Sequence, residues 1–230
     1  MANVKLLGTL PQGVTGKDVI VALCGLFNQD EVLNHAIEFT GSEETLRSLT
    51  VDDRLTIANM TTEWGALSGL FPIDSVLQAW LRYKATDAAL YHSPETTATS
   101  SSTRFNHSRL DELFSDTHIM SADPGASYAK TLHLDLSSLK PYVSGPNSVK
   151  ITTSIDILTS QNIRLDKAYL VSCTNSRASD IAAAAKVFKD AAKDNKGIIP
   201  QIADGVKFYI AAASMPEQLA AEEKGDWQAL

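Results

Sequence analysis

Between Asp18 and Phe27 almost every position is apolar (Val19, Ile20, Val21, Ala22, Leu23, Cys24, Leu26), too dense a run for a helix with one wet face. Thr15 stands three residues before Asp18, the spacing of a capping box, so a helix buried on most sides is expected over about 15–27. Ahead of it, Leu6-Leu7-Gly8-Thr9-Leu10-Pro11 reads as a short apolar stretch that closes in a turn. His35-Ala36-Ile37-Glu38-Phe39 alternates and stops at Gly41, which predicts a strand, and Ser42 with Glu43 and Glu44 opens a short helix. Val51 to Asn59 begins another helical stretch. Met60 through Leu70 is expected to continue it, with Gly65, Ala66, Ser68 and Gly69 permitting close backbone approach, until Phe71-Pro72-Ile73-Asp74 ends it. Ser75 to Lys84 is a further amphipathic helix.

The apolar pattern lapses from His92 to Ser102, a Ser/Thr-rich stretch that marks a polar insertion over about 92–122. It returns at Tyr128 to Leu136, whose alternation predicts a strand, and the breakers of Leu139 to Asn147 place a domain boundary near 145. Beyond that loop, Asp166 to Val171 and Lys207 to Ala213 read as strands. An Ala-rich helix over about 179–193, started by Ser179 or Asp180, and one over about 215–221, opened by Pro216, follow them in turn. Strand–helix–strand–helix order gives an α/β fold with a mostly parallel sheet, expected to be covered on both faces.

Composition narrows the function classes. A net charge of -7 and a pI near 5.2, with Lys and Arg scattered, give no basic surface that tracks phosphates, so no nucleic-acid partner is expected. The longest apolar run, about ten residues, is half of the ~20 that cross a bilayer, and no membrane partner is expected. The first residues suit neither a secretory signal nor a transit peptide. Two cysteines and no Cys-x-x-Cys pair exclude a disulfide framework and a self-sufficient metal site.

Each thiol is therefore read in its own setting. Cys24 lies in the dense apolar helix and reads as core packing. Cys173 sits in Ser172-Cys173-Thr174-Asn175-Ser176, at the carboxyl end of a predicted strand and ahead of a helix, where free amides and the helix dipole favour a thiolate. The hydroxyls and amide beside it can hydrogen-bond a cluster sulfide or an oxyanion. On residues alone three readings stand: a small residue in a tight turn, a metal ligand, and a nucleophile, the last without an assigned histidine base.

Leu170-Val171-Ser172-Cys173-Thr174-Asn175-Ser176-Arg177, followed by Asp180 and an Ala-rich helix, resembles the first signature of the aconitase superfamily. A second block, Asn59-Met60-Thr61-Thr62-Glu63-Trp64-Gly65-Ala66, is similar to that family's Asn-Met-x-x-Glu-x-Gly-Ala segment, and Leu10 to Ile20 and Ile37 to Gly41 also match. The resemblance implies aconitase-type α/β/α domains: residues 1–145 as the family's second domain and 146–230 as the start of its third. It implies a hydro-lyase using a 4Fe–4S cluster, a small tricarboxylic-acid-type substrate and a monomeric protein. Cys173 matches one of three cluster cysteines, with Asn175 beside the cofactor, and Glu63 and Asn59 match active-site residues, the carboxylate relaying a proton. Asn59 and Glu63, spaced i and i+4, are expected on one helix face. The stretch Leu136 to Asn147 is more similar to the fungal branch that interconverts homocitrate, homoaconitate and homoisocitrate for lysine synthesis in the mitochondrial matrix than to the isopropylmalate dehydratases.

The family's other two cluster cysteines, its catalytic histidines and its substrate-binding arginines have no counterpart in these residues. The chain therefore reads as an interior fragment of an enzyme, inactive by itself, with a non-catalytic α/β remnant or a fragment of an isopropylmalate dehydratase of leucine synthesis as the alternatives.

Overall fold

Ala2, Val4 and Leu6 are fully buried and alternate with Lys5 and Leu7, which are exposed, and this period of two makes Ala2–Leu7 the first strand, β1. The expected turn after Leu6 is there, but the strand before it is a finding of the structure. A computed structural model describes residues 1–91, 106–116 and 121–230, and the chain divides into two units, Met1–Ile155 and Asp156–Leu230. No described helix is long and apolar enough to cross a membrane.

In the first unit β1 lies between β2 (Ala36–Gly41) and β4 (Lys130–Asp135), and β3 (Ser68–Leu70) forms the far edge, in a sheet of order β3-β2-β1-β4. All three pairings are parallel. Its inner face, with Val4, Leu6, Ile37, Phe39 and Leu134, packs into one apolar core with α1 (Gly16–Leu26) and α3 (Val51–Asn59). Helix α1 is buried from Val19 through Cys24, as expected, because the antiparallel hairpin of β5 (Tyr142–Ser144) and β6 (Thr152–Ser154) also packs on it.

Two carboxylates tie these elements together. Asp18 accepts from Thr15 N–H at 2.9 Å to cap α1, and its other oxygen accepts from Tyr142 N–H at 2.8 Å at the start of the hairpin. Asp53 caps α3 through Thr50 N–H at 3.1 Å and accepts from Gly16 N–H at 2.6 Å. Gly16 allows that approach, since a Cβ there would stand 2.6 Å from the Asp53 backbone.

A short helix, α2 (Glu43–Arg47), follows the Ser42 cap as expected. The helical expectation for 60–70 is corrected. Met60 breaks the helix with ψ near 2°, a four-residue helix α4 (Thr61–Trp64) follows, and Gly65 at φ 104° ends it in the left-handed region that glycine adopts freely. Ser68–Leu70 then pairs with β2 as a strand.

Helix α5 runs Ser75–Tyr91, seven residues beyond Lys84, and pairs with α6 (His107–Leu113). Part of the expected insertion is thus helical, with Leu110 and Ala85 buried, while residues 92–105 and 117–120 lie outside the described residues. Arg54, 6% exposed in its side chain, makes a two-point contact with Asp74 at 2.8 and 2.7 Å and joins α3 to the start of α5.

In the second unit β7 (Lys167–Val171) pairs parallel with β8 (Lys207–Ala211). Helix α8 (Ala178–Asp194) brings Phe188 to 6.1 Å from Phe208, and buries Ile181 and Ala185. Helix α9 (Met215–Glu223) packs on α8, and the closing turn is fixed by Lys189 to Asp226 at 2.6 Å. Helix α7 (Ile155–Thr159) spans the division of the units. The expectation of two covered sheet faces fails among the described residues. Tyr169, Val171 and Tyr209, on one face of the pair, are 61%, 57% and 46% exposed, and the two tyrosine rings stack at 4.9 Å.

Candidate functional site

The predicted site residues fall into two groups, Asn59 and Glu63 in the first unit and Cys173 and Asn175 in the second. Asn59 is the last residue of α3 and Glu63 lies in α4, so the break at Met60 separates the pair that was expected on one continuous helix. Both side chains are exposed. The Thr62 hydroxyl lies between them, 2.7 Å from the Asn59 carbonyl and 3.1 Å from Glu63 Oε2, and so links the two pieces.

The support beneath them is dense. Trp64, 1% exposed, donates its indole N–H to the Phe27 carbonyl at 2.8 Å. Thr61, equally buried, donates from its hydroxyl to the Ala58 carbonyl at 2.7 Å, and Ala66 N–H returns to the Thr61 carbonyl at 2.9 Å. Lys17 of α1 extends its ammonium to Met60 Sδ at 3.0 Å, at the helix break. Sequence reading singled out neither Trp64 nor Lys17. A large aromatic between Glu63 and Gly65 was the available signal for the first, whereas Lys17 lies 43 positions from Met60 and nothing local announces the contact.

Cys24 lies fully buried in α1. Burial, reinforced by the nearby negative charge of Glu63, pushes its thiol up to about 11, so it is a neutral core group and not a thiolate.

Cys173 is exposed in the turn that follows β7. Ser172 shapes that turn, its hydroxyl accepting from Thr174 N–H at 3.1 Å and Asn175 N–H at 2.9 Å. Ser176 is buried at φ 57°, and its carbonyl accepts from Ala213 N–H at 3.0 Å just past β8. Cys173 Sγ has Thr174 Oγ1 at 3.8 Å. Asn175 is half-buried.

The expected helix cap is corrected here. Arg177, and not Ser179 or Asp180, is the capping residue of α8, and its N–H donates to Asp180 Oδ2 at 3.1 Å. Ala178 N–H, the first amide of the helix, donates to Glu217 of α9 at 2.7 Å. Two of the amides that a helix start would present are therefore engaged by carboxylates. Glu217 is 39 positions away, and its role could not be read from the sequence.

A 4Fe–4S cluster needs three or four thiolates in the usual case. Cys173 is one exposed thiol, Cys24 is buried and protonated, and no group of three or more His, Cys, Asp or Glu side chains able to hold a metal occurs among the described residues. These residues alone do not fit such a cluster.

Both units are α/β, with parallel pairings in the four-stranded sheet and in the β7–β8 pair. The chain belongs to the aconitase family (aconitate hydratase), which it matches over residues 1–164 and 157–230. Enzymes of this family generally use a 4Fe–4S cluster and act on small tricarboxylic acids. Along all 230 residues the chain is 71% identical to the mitochondrial homoaconitase of Emericella nidulans, 68% to that of Aspergillus oryzae and 52% to that of Kluyveromyces lactis. It spans about 29%, 29% and 31% of their respective lengths.

Proposed function

We propose that this chain is a segment of a hydro-lyase that interconverts homocitrate, homoaconitate and homoisocitrate in lysine synthesis by the 2-aminoadipate route, in the mitochondrial matrix. The observation that carries this reading is 71% identity along the whole chain to a mitochondrial homoaconitase. In this reading residues 1–145 form the family's second domain and 146–230 the start of its third, within a monomeric enzyme. Cys173 supplies one thiolate to the cluster, and Asn175 hydrogen-bonds beside it. Asn59 and Glu63 face the substrate, where the carboxylate holds and passes a proton. The remaining cluster ligands belong to polypeptide outside these 230 residues.

The test is a chimera in which these residues replace the matched segment of the Emericella nidulans relative. It should hydrate homoaconitate at a rate within about tenfold of the parent, a loss of no more than ~1.4 kcal/mol in the barrier. A folded chimera that accepts only aconitate or isopropylmalate would refute the substrate reading. Cys173→Ala in the chimera should abolish the visible absorbance of the cluster, whereas Cys24→Ala should leave it. The isolated chain, reconstituted anaerobically with iron and sulfide, should hold no stable cluster and show no hydro-lyase activity.

A further inference from the structure

We infer that Trp64 is a positioning residue for Glu63, acting through the carbonyl of Phe27. This inference rests on the reading of Glu63 as a proton-relay group. Helix α4 has four residues and cannot hold a fixed orientation through its own ladder of hydrogen bonds. Its orientation comes from what it is tied to. Phe27 is the C-terminal cap of α1, where helix carbonyls lack partners, and the Trp64 indole N–H takes the Phe27 carbonyl at 2.8 Å. The Trp64 ring is buried beside the Phe27 ring, with centroids 6.3 Å apart and the planes tilted by 40°.

On the other side, the Gly65 carbonyl accepts from Asn34 N–H at 3.1 Å, and Leu67 N–H donates to the His35 carbonyl at 2.9 Å. The backbone that follows Trp64 is therefore fastened to the segment that leads into β2. Glu63 is the residue before it and points outward, with the Thr62 hydroxyl as the hydrogen-bond partner seen for its carboxylate among the described residues. What holds Glu63 at a set distance from Asn59 is thus the anchored Trp64, together with the Thr61 and Thr62 hydroxyls, and not a continuous helix. Relay of a proton needs that placement, because displacement by about 1 Å at a reacting group can cost on the order of a hundredfold in rate.

The test uses the full-length chimera described above, with Trp64→Phe, and with Trp64 replaced at that position alone by its benzothiophene isostere. The isostere keeps the bicyclic shape and lacks the N–H, and so serves if Trp64→Phe does not fold. The expected result is a fall in kcat for homoaconitate of about tenfold, KM within about twofold, and a displaced acid limb in the pH–rate profile. Loss of folded protein alone would scale the whole profile without moving that limb. An isostere variant with unchanged kcat and unchanged pH profile overturns the inference. Glu63→Gln, run in parallel, separates the two ideas. If it abolishes turnover while the isostere has no effect, the inference about Trp64 fails and the role of Glu63 stands. If Glu63→Gln keeps full turnover, the role of Glu63 fails and the inference with it.

Discussion

The two units use the same strand–turn–helix grammar but complete it to different degrees. In the first, a four-stranded sheet lays Val4, Leu6, Ile37 and Phe39, all fully buried, against two helices, and α1 is covered again by the β5–β6 hairpin. In the second, α8 sets Phe188 beside Phe208 on one side of two strands, and Tyr169, Val171 and Tyr209 stay exposed on the other. Parallel sheets normally bury both faces, so the contrast assigns most of the chain's stability to the first unit.

Hydrogen exchange is the sharpest way to break this comparison. Amides of β1 and β2 should exchange on the order of ten-thousandfold more slowly than those of β7 and β8. Equal protection in the two sheets would remove the distinction. The thiols give a second contrast, one per unit. With its thiol raised to about 11, Cys24 is ~0.1% thiolate at pH 8, so a disulfide reagent should titrate Cys173 rapidly in the native chain and Cys24 only in denaturant.

A third probe acts on the first unit alone. Burial would raise the Asp74 carboxyl, but the hydrogen bonds and charge of Arg54 together with the Leu77 and Val76 amides outweigh it and hold the group below its ordinary value. A carboxyl depressed in the folded state contributes stability that is present above its unfolded pKa and lost as pH falls through the folded value. Asp74→Asn should therefore destabilise the first unit at pH 7 by about 3 kcal/mol, leaving the nearly buried Arg54 charge uncompensated, and should flatten the stability slope below about pH 4. Denaturant melts followed separately by signals from each unit would check this, and the second unit should not respond. Smallest of all, Asp190→Asn should leave the second unit's melting unchanged, because Asp190 meets Lys186 and Lys193 on the solvated side of α8.

Periodic and capping signals carried most of the fold. Thr15 with Asp18, Ser42 with its acidic pair, and the alternation of Tyr128 to Leu136 each reappear in the structure because the interactions they encode are local. The failures have physical causes as well. Residues 60–70 read as helix until Gly65 is seen in its left-handed conformation and Ser68–Leu70 finds β2, a pairing that local propensity does not contain. The motif around Cys173 was legible as a strand-end turn, but the use of the α8 amides by Asp180 and Glu217 was not. Asn59 and Glu63 were found as a pair, whereas the tie from Trp64 to Phe27 spans 37 positions and has no signature along the chain.

The central place of β1 has a consequence in time. Ala2 pairs with Lys130 of β4, so β1 waits for a neighbour that is synthesised much later. At ~5–20 residues per second that interval is on the order of ten seconds, during which one edge of β1 is open. Its sequence suits the wait. Asn3 is already engaged with Thr40 of β2 at 3.0 Å, and Lys5 places a charge on the strand that β4 will join. The nascent chain thus carries a polar guard on β1 until β4 arrives.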